Sequence, residues 1–298
     1  MVVVGDLVTD VVAVVAGAPV PGTDTPARIR VTGGGQAANT AAWLAYAGVP
    51  VTLVATVGDD PPGRERVAEL ATAGVDSAVR PVARVPTGTL VVLSAGDDRT
   101  MLADRGAAGR LRPADVDAAL DRWSATRHLH LSGYALLDRG SRAAGRHALA
   151  AAAGRGLTTS VDAASAGPLR RVGPARFLGW VRGVDLLLAN AAEAALLTAG
   201  TAAGGPADPV SCARALAGAA TAAVVKLGSA GALWAGSGGV VRGEPLPATA
   251  VDPTGAGDAF AAGLLAGWLA GAGPAAALRA GARLGAEAVA RLGARPAG

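Results

Sequence analysis

From Pro113 onward the chain alternates runs of strand length with segments of helical composition, and that order leaves few folds open. Arg127–Leu131, Leu157–Val161, Asp185–Ala189 and Ala222–Leu227 read as strands, while Ser141–Ala153, Ala191–Thr198 and Pro209–Ala219 read as helices. Mostly apolar strands bury both of their faces, and a strand–helix alternation supplies the cover. The pattern therefore predicts an α/β fold with a central, mostly parallel sheet and helices on both faces. Met1–Leu7 and Val51–Val57 add strands near the N-terminus. Gln36–Ala47 and Pro62–Ala73 add helices that end at Gly48 and Gly74.

Some segments break the alternation. Val11–Val15 and Arg28–Val31 are short strands joined by the Pro/Gly-rich loop Gly17–Pro26. Leu90–Ser94 and Arg99–Ala103 read as a hairpin around Gly96-Asp97-Asp98. These strands, near residues 11–31 and 85–105, predict a small separate sheet that could serve as a lid. Ala232–Ala235 and Val240–Arg242 form another hairpin. No repeat or linker divides the chain, so residues 1–298 read as one domain.

With hydrophobic residues at 51% and aromatics at only 3%, the core must be built from Ala, Val and Leu. The net charge of +4 invites a nucleic-acid reading, but the arginines are scattered and no basic run carries interleaved aromatics. Lys226 is the only lysine. Cys212 is the only cysteine, so no internal disulfide can form and a cytoplasmic setting is expected. Asp6 and Asp10 interrupt the first apolar run, which argues against a signal peptide. Ala259–Leu278 has no charge, yet its glycines and Pro274 predict two helices broken at Gly271–Pro274 rather than a membrane span.

The chemistry concentrates in Asp252-Pro253-Thr254-Gly255-Ala256-Gly257-Asp258. Amides at a helix N-terminus point outward unpaired and carry partial positive charge. Glycines let a phosphate approach them closely. Asp258, at the end of that turn, could take a proton from a bound hydroxyl. Gly-Ala-Gly proves little in a chain with 43 glycines. Gly271-Ala272-Gly273 repeats it, followed by Pro274 where the first copy has Asp258. The weight falls on the acids and Thr254.

This segment resembles the C-terminal D-x-T-G-A-G-D signature of the ribokinase-like, or PfkB, carbohydrate kinase family. Gly34-Gly35-Gln36-Ala37-Ala38-Asn39-Thr40-Ala41 is similar to that family's N-terminal G-G-x-x-x-N-x-A signature. Val57-Gly58-Asp59-Asp60 with Gly63, Asn190-x-x-Glu193 and Lys226-Leu227-Gly228-x-x-Gly231 add weaker echoes in the same order. The resemblance implies a ribokinase-like fold and transfer of the γ-phosphoryl group of ATP to a hydroxymethyl group on a sugar or sugar-like molecule. Asp258 would take the base position, and the Gly255, Ala256 and Gly257 amides would form an anion hole. Asp252 and Thr254 correspond to a monovalent-cation position, which suggests K⁺. Asp10, Gly34, Gly35 and Asn39 would bind the acceptor. Gln36 departs from ribose-specific members, which often carry Lys there. Asn190, Lys226, Gly228 and Gly231 would face the nucleotide, and Glu193 would act on Mg²⁺ through water.

Arg105 falls where acid-sugar kinases of the family carry a substrate-facing arginine, and Tyr134 could line the same pocket. His128 and His130 lack a third ligand at zinc spacing. A nucleoside kinase of adenosine or pseudouridine type is the nearest alternative on this fold. A binding regulator without turnover is a more distant one. A dinucleotide-dependent oxidoreductase fails because no G-x-G-x-x-G follows the first strand. No membrane or nucleic-acid partner is expected, and family members often pair through the lid, which makes a homodimer an expectation.

Overall fold

The computed structural model describes residues 1–95, 98–199 and 208–296. Thirteen strands and eleven α-helices are found among them. In chain order, β1 (Val2–Val4), β2 (Val8–Val15) and β3 (Ala27–Gly34) precede α1 (Gln36–Tyr46). Then come β4 (Thr52–Gly58), α2 (Pro61–Thr72), β5 (Asp76–Val82), β6 (Thr89–Ala95) and β7 (Asp98–Asp104). The alternating part runs α3 (Pro113–Arg122), β8 (His128–Ser132), α4 (Tyr134–Leu137), α5 (Arg142–Gly154), β9 (Thr158–Asp162), α6 (Ala166–Val172) and α7 (Pro174–Trp180). It continues through β10 (Leu186–Asn190), α8 (Ala191–Thr198), α9 (Pro209–Ala217) and β11 (Ala222–Lys226). The hairpin β12 (Ala232–Gly236) and β13 (Gly239–Gly243) leads to α10 (Ala256–Leu269) and α11 (Pro274–Val289).

Nine strands form the main sheet in the order β13-β12-β11-β10-β9-β8-β1-β4-β5. The pairs from β5 across to β11 are parallel, and the β11–β12 and β12–β13 pairs are antiparallel. Side chains alternate between two cores. Val2, Val4, Leu129, Leu131 and Val161 pack with α3, α5, α6 and α9 on one side. Val3, Leu186, Leu188 and Val224 pack with α1, α10 and α11 on the other. Small residues bring the last two helices together: a methyl group at Gly263 would lie 2.4 Å from the Ala280 carbonyl. That contact explains how a core poor in aromatics still closes.

The other four strands form a separate sheet, β3-β2-β6-β7. This is the small separate sheet expected from the sequence. Asp10, Thr32, Leu90 and Ala103 share one face of it, and Val31, Val11, Val91 and Leu102 share the opposite face.

Several boundaries differ from the sequence reading. The first strand stops at Val4, before Gly5, and Asp10 lies inside β2 rather than just before the strand expected from Val11. Strand β5 was not expected, because Arg80 and Pro81 make it read as a loop. An edge strand tolerates both, since its outer backbone groups need no partner. Helices α4, α6 and α7 were also missed. Gly96 and Asp97, the middle of the expected hairpin turn, lie outside the described residues. The break between α10 and α11 falls where expected, and no helix among the described residues is long and apolar enough to cross a membrane.

Candidate active site

Parallel sheets carry ligands outside the carboxyl ends of their strands, at the point where strand order reverses. Here the order reverses between β1 and β8. The residues at those ends are Asp6 after β1, Ser132 of β8, Asp162 of β9, Asn190 of β10 and Lys226 of β11. Register sets them side by side, Ser132 opposite Asp162 and Asn190 opposite Lys226.

A continuous hydrogen-bonded chain joins this row to α1 and to Arg105, the residue after β7. Lys226 Nζ lies 2.5 Å from Asp162 Oδ2, and Gln36 Nε2 donates to Asp162 Oδ1 at 3.1 Å. The Ser132 hydroxyl reaches Gln36 Oε1 at 2.6 Å and Asp6 Oδ1 at 3.2 Å. Arg105 Nη1 donates to Asp6 Oδ2 at 2.9 Å, and its guanidinium stacks 3.7 Å above the Tyr134 ring. Arg105 and Tyr134 therefore meet, as the sequence suggested. The sequence reading gave no role to Asp6, Ser132 or Asp162. Their strand-end positions are the only signal that could have found them.

The glycine turn enters α10 from the other side. Gly255 is left-handed, with φ 75°, and a methyl group there would lie 2.4 Å from the Ala294 carbonyl oxygen. The Ala256 amide is turned back to the Pro253 carbonyl at 3.3 Å. The Gly255 and Gly257 amides find no acceptor among the described residues, which leaves them available to an anion. A methyl group at Gly257 would lie 3.5 Å from Lys226 Nζ, so the ammonium stands beside those amides. Asp252 braces the turn: its Oδ1 accepts from the Thr254 amide at 2.9 Å and hydroxyl at 2.6 Å, and its Oδ2 accepts from the Gly293 amide at 3.1 Å.

Asp258 follows in the first turn of α10, and Asn39 Nδ2 donates to its Oδ2 at 2.9 Å. Burial pushes its carboxyl up to about 8. The Asn39 bond and Lys226 oppose that rise, while Asp162 and Asp6 add to it. A base near neutrality is a stronger proton acceptor than an ordinary carboxylate. Asp10 is 7% exposed, its Oδ1 has no partner, and the carboxylate rests against the Cα of Gly34. Burial raises it to about 6, against the pull of Arg295, Arg105 and Arg66. Gly35, with φ 100°, passes close enough to the Asp6 carbonyl that a side chain would collide with it.

Asn190 and Glu193 form a reciprocal helix cap: the Glu193 amide donates to Asn190 Oδ1 at 2.9 Å, and Glu193 accepts from Asn190 N at 2.8 Å and Nδ2 at 2.7 Å. Burial and the charge of Asp162 raise Glu193 to about 6. Burial alone would lower Lys226, but Asp162, Glu193 and Asp258 outweigh it and raise the ammonium. Gly228 and Gly231 shape the turn after β11. At Gly231, φ is 88° and a methyl group would lie 2.1 Å from the Gly243 carbonyl.

Asp162, Glu193 and Asp258 surround the one ammonium of Lys226. No cluster of three metal-ligating side chains is found among the described residues. His128 and His130 are instead structural. Both bond the Ser160 hydroxyl, at 2.8 and 2.7 Å, and burial lowers them to about 3 and about 4. Cys212 is buried in α9.

Comparison with known proteins follows the same lines. The model of the pfkB family carbohydrate kinases matches residues 1–297. An ATP-dependent ribose-1-phosphate kinase of Halopiger xanaduensis is 34% identical over 245 residues, covering 80% of this chain and 74% of the relative. A 2-dehydro-3-deoxygluconokinase of Thermoproteus tenax is 32% identical over 249 residues, with the same two coverages of 80% and 74%. The crystal structure of adenosine kinase from Sinorhizobium meliloti superposes with a TM-score of 0.85 at 24% identity, over 99% of this chain and 95% of that one. Fold, signatures and relatives converge: the chain belongs to the pfkB family of carbohydrate kinases and is a phosphotransferase.

Proposed function

We propose that residues 1–298 work as one kinase domain that moves the γ-phosphoryl group of ATP to a hydroxymethyl group on a sugar or sugar-like acceptor. One observation carries the reading. Asp258, a raised carboxyl, sits in the first helical turn beside two unpaired amides and the Lys226 ammonium. Asp258 accepts the hydroxyl proton as that oxygen attacks. The Gly255 and Gly257 amides and Lys226 receive the charge of the transferring group, which is positioning plus preorganised electrostatics. Asn190 and Lys226 face the phosphates with the turn Gly228–Gly231. Mg²⁺ on the nucleotide would shield phosphate charge, with Glu193 reaching it through water. Asp252 and Thr254 remain the place for a monovalent cation such as K⁺.

At the acceptor end, Asp10 offers an unpartnered oxygen to sugar hydroxyls, and Gly34, Gly35 and Asn39 complete the wall. Arg105 favours an acceptor with a phosphate or carboxylate, and the names of both curated relatives describe such acceptors. An ADP-release assay over neutral sugars, sugar phosphates, sugar acids and nucleosides tests the class. Anionic sugars should turn over best. Preference for nucleosides would favour the nucleoside-kinase reading, and no turnover with any of them would end the kinase assignment at this level.

The outer lid face supports self-association. Val31, Ile29 and Leu102 are 61%, 64% and 61% exposed and belong to apolar rows that cross the sheet. A second copy covering these rows would shield them from water. Val31→Ser with Leu102→Ser should then shift the protein from dimer to monomer in analytical ultracentrifugation, and a monomeric wild type would refute the pairing.

A further inference from the structure

Arg295 lies beyond α11, far from either signature, yet its side chain ends in the acceptor site. Only 13% of it is exposed, and each of its three nitrogens donates to a different element. Nε donates to Asn39 Oδ1 on α1 at 3.2 Å, Nη1 to Glu69 Oε2 on α2 at 3.3 Å, and Nη2 to the Gly34 carbonyl at the end of β3 at 2.9 Å. Glu69 is held in turn by the buried Arg66 at 2.7 Å.

The seat for this guanidinium is built. A methyl group at Gly33 would lie 2.2 Å from Arg295 Nη1 and 2.5 Å from Glu69 Oε2, so only glycine leaves room. The backbone is pinned on the near side by Trp43, whose indole donates to the Ala294 carbonyl at 2.9 Å, and by the Gly293–Asp252 bond. Ala294 is also the residue against which Gly255 packs. One short segment thus supports the anion-hole turn and the acceptor wall together.

The bond to Asn39 decides which way its amide faces. An amide has one accepting and one donating end. With the cation holding Oδ1, only the NH₂ group can face Asp258, and it donates to Oδ2. A flipped amide would set oxygen against carboxylate and NH₂ against guanidinium. The other oxygen of Asp258 is left for the acceptor. The guanidinium also acts electrostatically on both Asp10 and Asp258. Asp10 faces Asp6, Arg105 and Arg66 besides, and Asp258 faces Asp162, Lys226 and Asp6.

We propose that Arg295 is a positioning residue for phosphoryl transfer: it locks the Asn39 amide toward Asp258, and its buried charge keeps Asp10 and Asp258 ready to accept hydrogen bonds from the sugar. The proposal rests on the reading of Asp258 as base and Asp10 as acceptor ligand. Arg295→Met should leave ATP affinity unchanged and lower kcat/KM for the acceptor by about 10²-fold, as expected for a misplaced reacting group. The acid limb of its pH–rate profile should move upward. Arg295→Lys should return that limb toward the wild-type position without restoring full kcat. Gly33→Ala, which displaces the guanidinium while keeping it, should resemble Arg295→Met, and both variants also serve if Arg295→Met does not fold.

A lower melting temperature with an unmoved acid limb would mean a purely structural role and overturn the proposal. If the wild type phosphorylates no sugar or nucleoside, the kinase reading fails on its own. Carboxyl ¹³C titration of Asp10 and Asp258 is independent of turnover: an upward shift in Arg295→Met supports the part of the proposal that sets Arg295's charge on both carboxyls, and no shift overturns the proposal whether or not the kinase reading holds.

Discussion

Gly255-Ala256-Gly257 enters α10 and Gly271-Ala272-Gly273 leaves it, and each copy places its first glycine in the left-handed region, at φ 75° and 87°. At the exit, the Gly271 amide donates to the Trp268 carbonyl and the Ala272 amide to the Gly267 carbonyl, at 2.9 and 3.0 Å. These two bonds close the helix end and satisfy its last carbonyls. At the entry, amides are left open instead, with Lys226 alongside and Ala294 packed beneath. The same three residues therefore close a helix end in one place and leave open amides at a helix start in the other, where we propose the anion site. The difference comes from the neighbours: Asp252, Thr254 and Asp258 in sequence, Lys226 and the 293–295 segment in space.

The comparison can be broken at either end. The largest effect is expected at Asp258. Asp258→Asn should keep ATP binding and lower kcat by about 10²–10⁴-fold, the usual contribution of a general base. Gly255→Ala comes next. It forces a side chain into the left-handed region and into the Ala294 carbonyl, so it should cost about 10²-fold in kcat through displacement of the turn, together with stability. Stopped-flow ATP binding and steady-state rates separate the two variants.

A separate effect, read in stability rather than in rate, follows from the charge of Asp258. Its folded value of about 8 lies above the roughly 3.9 of an unfolded aspartate, so the folded protein holds that proton more tightly. Its contribution to stability is full below the unfolded value and is lost as pH rises toward 8. Asp258→Asn removes that loss. The variant should therefore gain stability over the wild type as pH rises from about 4, with the gap levelling above about 8. Urea midpoints across pH check this, and a constant gap would contradict it. The smallest effect is expected at the exit. Nothing stands within 4 Å of a methyl group at Gly271, so Gly271→Ala should cost only about 1 kcal/mol of backbone strain and leave kcat unchanged.

The main sheet was legible because parallel strands buried on both faces cannot hide their apolar runs. Strand β5 was not, because one exposed edge lets it carry Arg80 and Pro81. The Asp252–Asp258 turn was legible because the signature it resembles is contiguous in sequence. Lys226 stood out as the lone lysine, and the structure sets it beside Gly257. Asp6, Ser132 and Asp162 were silent, since each is an ordinary polar residue until register brings strand ends together. Arg295 was equally silent: a scattered arginine in an arginine-biased chain gains meaning only from the space left by Gly33.

The most direct measurement is phosphorus NMR of the product formed from ATP and the best acceptor, with wild type and Asp258→Asn side by side. A phosphomonoester on a primary carbon, formed by the wild type and nearly absent with a variant that still binds ATP, is the predicted result. Equal product from both proteins would contradict the account.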